Sequence, residues 1–408
     1  MAATDMGRRA IVIGGSLGGL FAANLLHRAG WDVHVFERSA EELDGRGAGI
    51  VTHPPLLEAM VRAGVPAGAV VGVSVPGRVT LDREGGVAGE LALPQVYTSW
   101  SRLYALLKAA FPYERYHLAK ALVRVDERSD GVVACFDDGT EVVADLLVAA
   151  DGIRSAVRGH FLPQVKPQYA GYVAWRGLVD ERALSQETRD TLFGRFGFCL
   201  PAGEQMLGYP VAGRDNAVAP GERSYNFVWY RPADEKADLP GLLTDSSGRV
   251  HDSAIPPQLL RAEVVAAMRA DAEAKLAPQF AELVRKTVQP ILQPIFDLES
   301  TRLAFGRVAV LGDAAFVARP HCGMGVTKAA EDAVVLADAL RSHTQLGDAL
   351  AGYEKKRLRF GREVVEHARN LGAYMQAQVK SPAEQAMAER YRTIEAVMAE
   401  TAVTRSFG

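Results

Sequence analysis

The stretch Arg307-Val-Ala-Val-Leu-Gly-Asp313-Ala-Ala-Phe-Val-Ala-Arg-Pro320-His321-Cys-Gly323-Met-Gly325-Val-Thr327-Lys328 decides how this chain is read. Val308 to Leu311 is a short continuous apolar run, as expected of an inner parallel strand. It delivers an acid, Asp313, and then crosses a loop containing Pro320, Gly323 and Gly325. Apolar periodicity from Lys328 to Leu340 predicts the helix that follows. A glycine loop opening a helix presents N–H dipoles to whatever negative edge lies against it.

The other end of the chain repeats this order. Ala10-Ile-Val-Ile13 predicts a strand, and Gly14-Gly15-Ser16-Leu17-Gly18-Gly19 a turn. A helix with apolar positions Leu20, Phe21, Leu25 and Leu26 runs to Gly30, and Trp31 to Phe36 predicts a second strand. At such a turn the backbone around Gly14, Ser16, Leu17 and Gly18 can approach a pyrophosphate, which the helix dipole favours. Glu37 lies about twenty residues on, where an acid accepts bonds from ribose hydroxyls. Arg38 follows it, either as a phosphate or adenine contact or as a surface arginine. Ser16 stands where the middle glycine of the usual fingerprint would be, and its Cβ limits how near the backbone comes. A nicotinamide nucleotide needs only this first segment. A flavin dinucleotide needs something at its far end as well, and the Asp313 segment supplies it.

Composition sets the outer limits. The chain has 408 residues, 48% apolar and 23% charged, enough for roughly two domains. A net charge of -3 offers no basic footprint for nucleic acid. Met1 to Arg9 is polar, and nowhere is there an apolar run of about eighteen residues, so a cytoplasmic protein without a membrane segment is expected. Cys135, Cys199 and Cys322 are scattered, match no metal spacing and read as reduced thiols.

Between the two segments, Thr98 to Leu107 reads as a capped helix with Arg102 near its start. That guanidinium could clamp a pyrophosphate or simply face water. Short strands from Ala121 to Val148, with a turn at Asp137-Asp138-Gly139-Thr140, end in a further strand–acid–glycine unit at Asp151-Gly152. From Lys166 to Pro290 aromatic residues concentrate in alternating segments. Tyr225, Phe227 and Trp229 share one face, which either walls a flat pocket or fills a core. Pro257 to Lys286 reads as helical, as do segments from Leu346 and from Ala383, whose polar surfaces suit packing or a homodimer. The expected organisation is a discontinuous nucleotide-binding domain (1–75, 98–165, 295–345), a substrate domain (76–97, 166–294) and C-terminal helices (346–408).

In these three acidic segments, taken in order, the chain resembles the class A FAD-dependent aromatic hydroxylases. Within that family, Ala170-Gly-Tyr-Val-Ala-Trp-Arg-Gly-Leu178 and Arg319-Pro-His321 look most like the hydroxypyridine hydroxylases of the 2,6-dihydroxypyridine 3-monooxygenase kind. Phe316 and Thr327 depart from the histidine and asparagine usual in the family. The resemblance implies the para-hydroxybenzoate hydroxylase fold, an α/β Rossmann-type FAD-binding domain with a mixed-sheet substrate domain and C-terminal helices. It implies FAD held by Gly14, Ser16, Leu17, Gly18, Glu37, Arg38, Arg102 and Asp151 at one end. At the other end it implies Asp313 on the ribitol, with Pro320, Gly323, Gly325, Val326 and Thr327 at the ring. It further implies that NAD(P)H, NADH ahead of NADPH, and O2 serve hydroxylation of a small electron-rich ring through a C(4a)-hydroperoxyflavin.

A substrate hydroxyl must become more anionic for that attack, so a base or relay is expected. His53, after Gly47-Ala-Gly-Ile-Val-Thr, and His321 are candidates, with Tyr209 and Tyr225 behind them. Each could equally be structural. The rival readings are a same-fold oxidase or epoxidase, a non-catalytic flavin-binding regulator, and a plain nicotinamide dehydrogenase, which would leave Gly312 to Thr327 without a role.

Overall fold

The structure, a computed structural model, describes residues 8–43, 49–129 and 131–404. Its central element is the strand Arg9–Ile13, whose residues Ala10 to Val12 are wholly buried. Parallel partners lie on both sides, Leu146–Ala149 and Asp32–Phe36, so an uninterrupted apolar run is what this position requires. Val308–Val310 extends the sheet beyond Leu146–Ala149, again in parallel. The six-stranded sheet is completed by Ala304–Phe305 and Tyr116–His117 at its edges. Helix Leu17–Arg28 packs against helix Gly325–Ser342, which in turn packs against helix Leu346–Gly372.

A second, nine-stranded mixed sheet contains the long strands Gln168–Asp180, Ser224–Pro232, Gln205–Val211 and Ile291–Glu299. Alternation gives this sheet two different faces. Val173, Trp175, Met206, Tyr225, Phe227 and Trp229 form one core with helices Ala262–Lys275 and Pro278–Lys286. Tyr172, Ala174, Leu207, Tyr209, Val228 and Tyr230 lie on the other. The face carrying Tyr225, Phe227 and Trp229 is therefore core rather than a pocket wall. Reading a period of two identifies a face but not which layer covers it, and here two helices claim it.

Three local expectations are adjusted. The helical stretch from Pro257 divides before Pro278, because a residue preceding proline is driven out of the helical region, and Ala277 sits at φ -53, ψ 144. The late helix begins at Gly325, a turn earlier than its apolar periodicity shows. A further helix, Ile394–Glu400, follows Pro382–Tyr391. Among the described residues no helix is long and apolar enough to cross a membrane.

The junction after Val308–Val310 is held by a buried charge network. Asp332 Oδ2 accepts the Gly312 N–H at 3.0 Å, and Lys328 Nζ donates to the Gly312 carbonyl at 2.8 Å. Arg357 Nε donates to Asp332 Oδ1 at 2.6 Å, and the Tyr353 hydroxyl donates to the Val310 carbonyl at 2.8 Å. Burial opposes ionisation of Asp332, but Lys328 and Arg357 outweigh it and hold its carboxyl below the usual range. Removing one member of a buried pair leaves uncompensated charge, which costs about 3–5 kcal/mol. Asp332→Ala should lower unfolding stability by about that amount in urea titrations; a loss under about 1 kcal/mol would show the network is not holding the junction.

Candidate functional site

The C-terminal ends of the parallel strands, where Ile13, Phe36, Ala149 and Val310 stop, open onto two cavities. Open α/β sheets bind ligands at this edge, outside the carboxyl ends of their strands. The first cavity, about 320 Å³, is lined by Gly14, Ser16, Glu37, Arg38, Asp151 and Arg154 among others. Gly14 has φ +99, and a Cβ there would lie 2.4 Å from the Ala150 carbonyl oxygen. Only glycine permits this turn. Glu37 accepts from Gly15 N at 2.8 Å through one oxygen and from Ser39 N at 2.9 Å through the other, so its carboxylate also fixes the turn. Asp151 Oδ2 accepts from Ala156 N at 2.7 Å, while its Oδ1 is buried without a partner and burial raises its pKa.

The second cavity, about 330 Å³, lies between the loop after Asp313 and the Tyr209–Tyr230 face of the mixed sheet. Asp313, Pro320, His321, Gly323, Gly325 and Val326 line one side of it. Asp313 opens onto the cavity and accepts no hydrogen bond among the described residues. Surrounding protein raises its carboxyl pKa, and Lys328 opposes that rise. Gly18 and Gly312 both face Ala329, whose Cβ would lie 3.5 Å and 3.4 Å from a methyl at each. The early turn and the late acid thus meet over one helix. An acid without a partner at one end, an orphaned carboxylate oxygen at the other and a glycine turn between them fit a long dinucleotide such as FAD.

The C-terminal segment forms another part of the cavity wall. Thr401 and Ala402 line it, and Ala402 adopts φ +54. The fully buried Arg78 donates to the Met398 and Thr401 carbonyls at 2.6 and 2.7 Å. Gln95 Nε2 donates to the Ala402 carbonyl at 2.9 Å, and Ala402 N donates to the His321 carbonyl at 3.0 Å. A Cβ on Gly323 would lie 2.8 Å from Ala402, so this segment also closes on the loop. Burial lowers the Arg78 pKa to about 10, still well above neutrality. The C-terminal residues expected to serve only packing or assembly therefore border the site.

Of the residues singled out from sequence, Gly14, Ser16, Glu37, Arg38 and Asp151 gather at the first cavity. Asp313, Pro320, Gly323, Gly325, Val326, Tyr209 and His321 gather at the second. Leu17 is buried at the start of its helix. Gly18, Tyr225, Arg102, His53 and Thr327 also line neither cavity. Tyr225 points into the opposite core and donates its hydroxyl to the Gly208 carbonyl at 2.7 Å. Arg102 bonds the Val70 carbonyl at 3.0 and 2.7 Å rather than reaching the first cavity. His53 lies 2.9 Å from Thr327 Oγ1 through Nδ1 and 3.3 Å from the Ala402 carbonyl through Nε2. Since a carbonyl only accepts, the Nε2–H tautomer is assigned, with Thr327 as donor to Nδ1. His53 and Thr327 therefore brace the loop and the tail, and Thr327 turns its hydroxyl away from the cavity. Gly47 and Ala48, ahead of His53, lie outside the described residues.

Sequence reasoning passed over Arg176, Tyr230 and Gln293 on the cavity wall, and the Arg78–Gln95 brace behind it. Arg176 carried a signal, a lone charge in an otherwise apolar, aromatic strand. The brace carried none, since its partners lie about three hundred residues away and are backbone carbonyls.

His321 bonds the Tyr172 hydroxyl at 3.1 Å through Nε2, and its Nδ1 is buried without a partner. Burial, aided by Arg319 and His367, lowers its pKa to about 3, and burial lowers that of His53 to about 4. Both rings are neutral in the fold, whereas in the unfolded chain they protonate near pH 6.5. Stability should fall as pH drops below about 6.5, by about 1.4 kcal/mol per unit for each histidine, until the folded values are reached. His53→Gln should show a shallower loss between pH 7 and pH 5 in urea midpoints; an unchanged slope would mean His53 is not held neutral. Asp313→Ala should weaken FAD binding roughly tenfold to a hundredfold, the worth of a charge-assisted hydrogen bond, as read by equilibrium dialysis. Full retention of FAD would remove Asp313 from the cofactor site.

Comparison with known proteins adds independent information. The FAD binding domain family matches residues 256–405, and the FAD binding domain-like family matches residues 169–297. The chain is 33% identical over 380 residues to 2,6-dihydroxypyridine 3-monooxygenase of Paenarthrobacter nicotinovorans, covering 90% of this chain and 91% of that one. The solved 2,6-dihydroxypyridine-3-hydroxylase from Arthrobacter nicotinovorans superposes with a TM-score of 0.85 at 31% identity, covering 93% of this chain and 96% of that chain. Klebsiella pneumoniae HpxO, solved in complex with FAD and uric acid, gives a TM-score of 0.76 at 26% identity, covering 97% of this chain and 93% of that chain.

Proposed function

The chain belongs to the family of FAD-dependent aromatic-ring monooxygenases, and on that premise we propose that it hydroxylates a small hydroxypyridine or phenol. NAD(P)H, NADH ahead of NADPH, and O2 are its co-substrates in this reading. The observation that carries it is the cavity of about 330 Å³ between the Asp313–Val326 loop and the Tyr209–Tyr230 sheet face. Asp313, Gly323 and Gly325 line this same cavity, so part of its volume belongs to the flavin, and what it leaves favours one flat ring over an extended molecule. Similarity to the 2,6-dihydroxypyridine 3-monooxygenase of Paenarthrobacter nicotinovorans supports a pyridine ring bearing hydroxyls.

Ser16, Glu37, Arg38 and Asp151 would hold the adenylate end of FAD, Asp313 the ribitol, and the backbone of Gly323 and Gly325 the ring edge. When bound, FAD takes electrons from the nicotinamide and activates O2 for transfer to an electron-rich carbon. The protein's share is to orient the substrate, exclude water and handle a proton. Phe196, Leu207, Val228 and Ile295 supply apolar wall, and Thr401 and Ala402 add to it from the C-terminal segment. His321 takes the proton role in preference to His53, because it borders the cavity and pairs with Tyr172. Burial keeps this ring neutral, so in this reading it acts as a relay, giving up a proton from one ring nitrogen as the other accepts one, and not as a stored imidazolium.

The test uses purified FAD-loaded protein with NADH and a panel of hydroxypyridines and phenols. One ring should accelerate NADH oxidation and return heavier by one oxygen atom. If every ring leaves the rate unchanged, the hydroxylase reading fails; if the oxygen ends wholly as hydrogen peroxide with the best ring, the protein is an oxidase.

A further inference from the structure

Strand Gln168–Asp180 sends Ala170, Tyr172, Ala174 and Arg176 to the cavity side of the sheet, and Val173, Trp175 and Val179 into the opposite core. A guanidinium thus ends a row that is otherwise apolar and aromatic. Arg176 makes no hydrogen bond and no ion pair among the described residues, and its Nε is buried without a partner. No charged group among the described residues pairs with it. Tyr209 and Tyr230 both line the cavity, and burial raises their pKa values so that both are neutral phenols. Gln293 is an amide, and His321 is neutral. Asp313 borders the same cavity but forms no ion pair with Arg176. Other guanidiniums near this sheet are matched: Arg319 pairs with Asp297 at 2.9 Å, and Arg231 with Asp271 at 2.5 Å.

A partly buried guanidinium with an orphaned donor is costly unless something negative completes it. We propose that Arg176 anchors an anionic oxygen carried by the substrate ring, so that the ring is bound as its anion. This rests on the hydroxylase reading above and adds the charge state of the substrate and the residue that selects it. The fork of a guanidinium matches two oxygens, or one oxygen with two lone pairs, in the plane of a flat ring. A positive charge beside a ring hydroxyl favours its ionised form, as any neighbouring opposite charge does. Where that oxygen is bonded directly to the ring, ionisation enriches the carbons ortho and para to it, where an electrophilic oxygen adds; a carboxylate would be anchored without that enrichment. Arg176 is thus a specificity-determining residue, rejecting neutral rings of the same shape because they leave its donor unpaired. The anionic oxygen can be a ring oxide or a ring carboxylate, and two probes separate these sources.

The experiment measures dissociation constants on FAD-loaded wild type, Arg176→Met and Arg176→Lys from the change in flavin absorption. The probes are 2,6-dihydroxypyridine, 6-hydroxynicotinate and the neutral shape mimic 2,6-dimethylpyridine at pH 8. Arg176→Met should weaken one or both anionic probes on the order of tenfold to a hundredfold and leave the neutral mimic within about twofold, with Arg176→Lys between. A selective effect on 2,6-dihydroxypyridine assigns the ring oxide, and one on 6-hydroxynicotinate the carboxylate. The ultraviolet band of the bound anion should also persist to lower pH in wild type than in Arg176→Met. Equal affinity of wild type and Arg176→Met for both anionic probes overturns the proposal alone. Equal weakening of the neutral mimic overturns it as well, since that is a packing defect. If wild type binds neither anionic ring, the substrate reading falls and takes the proposal with it.

Discussion

Everything at the site hangs on how one buried carboxylate, Asp332, is neutralised. It sits on helix Gly325–Ser342 between the Lys328 ammonium and the Arg357 guanidinium, and it accepts the N–H of Gly312. Lys328 takes the carbonyl of that same glycine. Two charges from one helix therefore hold both backbone polar groups of Gly312, the residue immediately before Asp313. A buried ion set of this kind contributes little net stability compared with well-packed apolar residues, but it tolerates few alternative arrangements. What it provides is placement: the acid is directed to the cavity edge instead of becoming a helix cap.

From that fixed point the rest of the site follows by packing. Ala329, one residue along the same helix, meets both Gly18 and Gly312, so the early glycine turn and the late acid border one cleft. His53 reaches Thr327 on that helix and Ala402 in the tail, binding three distant parts of the chain through one neutral ring. The tail is held in turn by Arg78 and Gln95. Desolvation is the common cost in these arrangements, and it shows in the depressed histidines and the raised Asp313 carboxyl. Asp332 keeps its charge between two partners, whereas Arg176 faces the cavity with no partner among the described residues.

Much of this was legible in the residues. The two glycine-bearing strand–helix junctions, the Asp151 segment and the alternation of the middle strands all appear as elements close to where they were read. These signals are local, since a turn needs glycine within a few residues and a strand alternates with its own pleat. The points that the residues left open share the opposite character. Tyr225, Phe227 and Trp229 were correctly grouped on one face, but whether a helix or a cavity covers it depends on a segment some thirty residues on. Arg102 reads equally as a phosphate clamp or as a side chain facing water, and in this structure it donates to the Val70 carbonyl.

By itself the sequence determined the α/β class, the early and late halves of the dinucleotide cleft and the family, because each is written in short-range pattern. Only the tertiary structure decided which histidine borders the cavity, that the C-terminal residues wall it, and that Arg176 faces it unpaired among the described residues. Those are long-range contacts, made when a β-strand's alternate faces are assigned to different layers and when burial removes the water that would otherwise satisfy a charge.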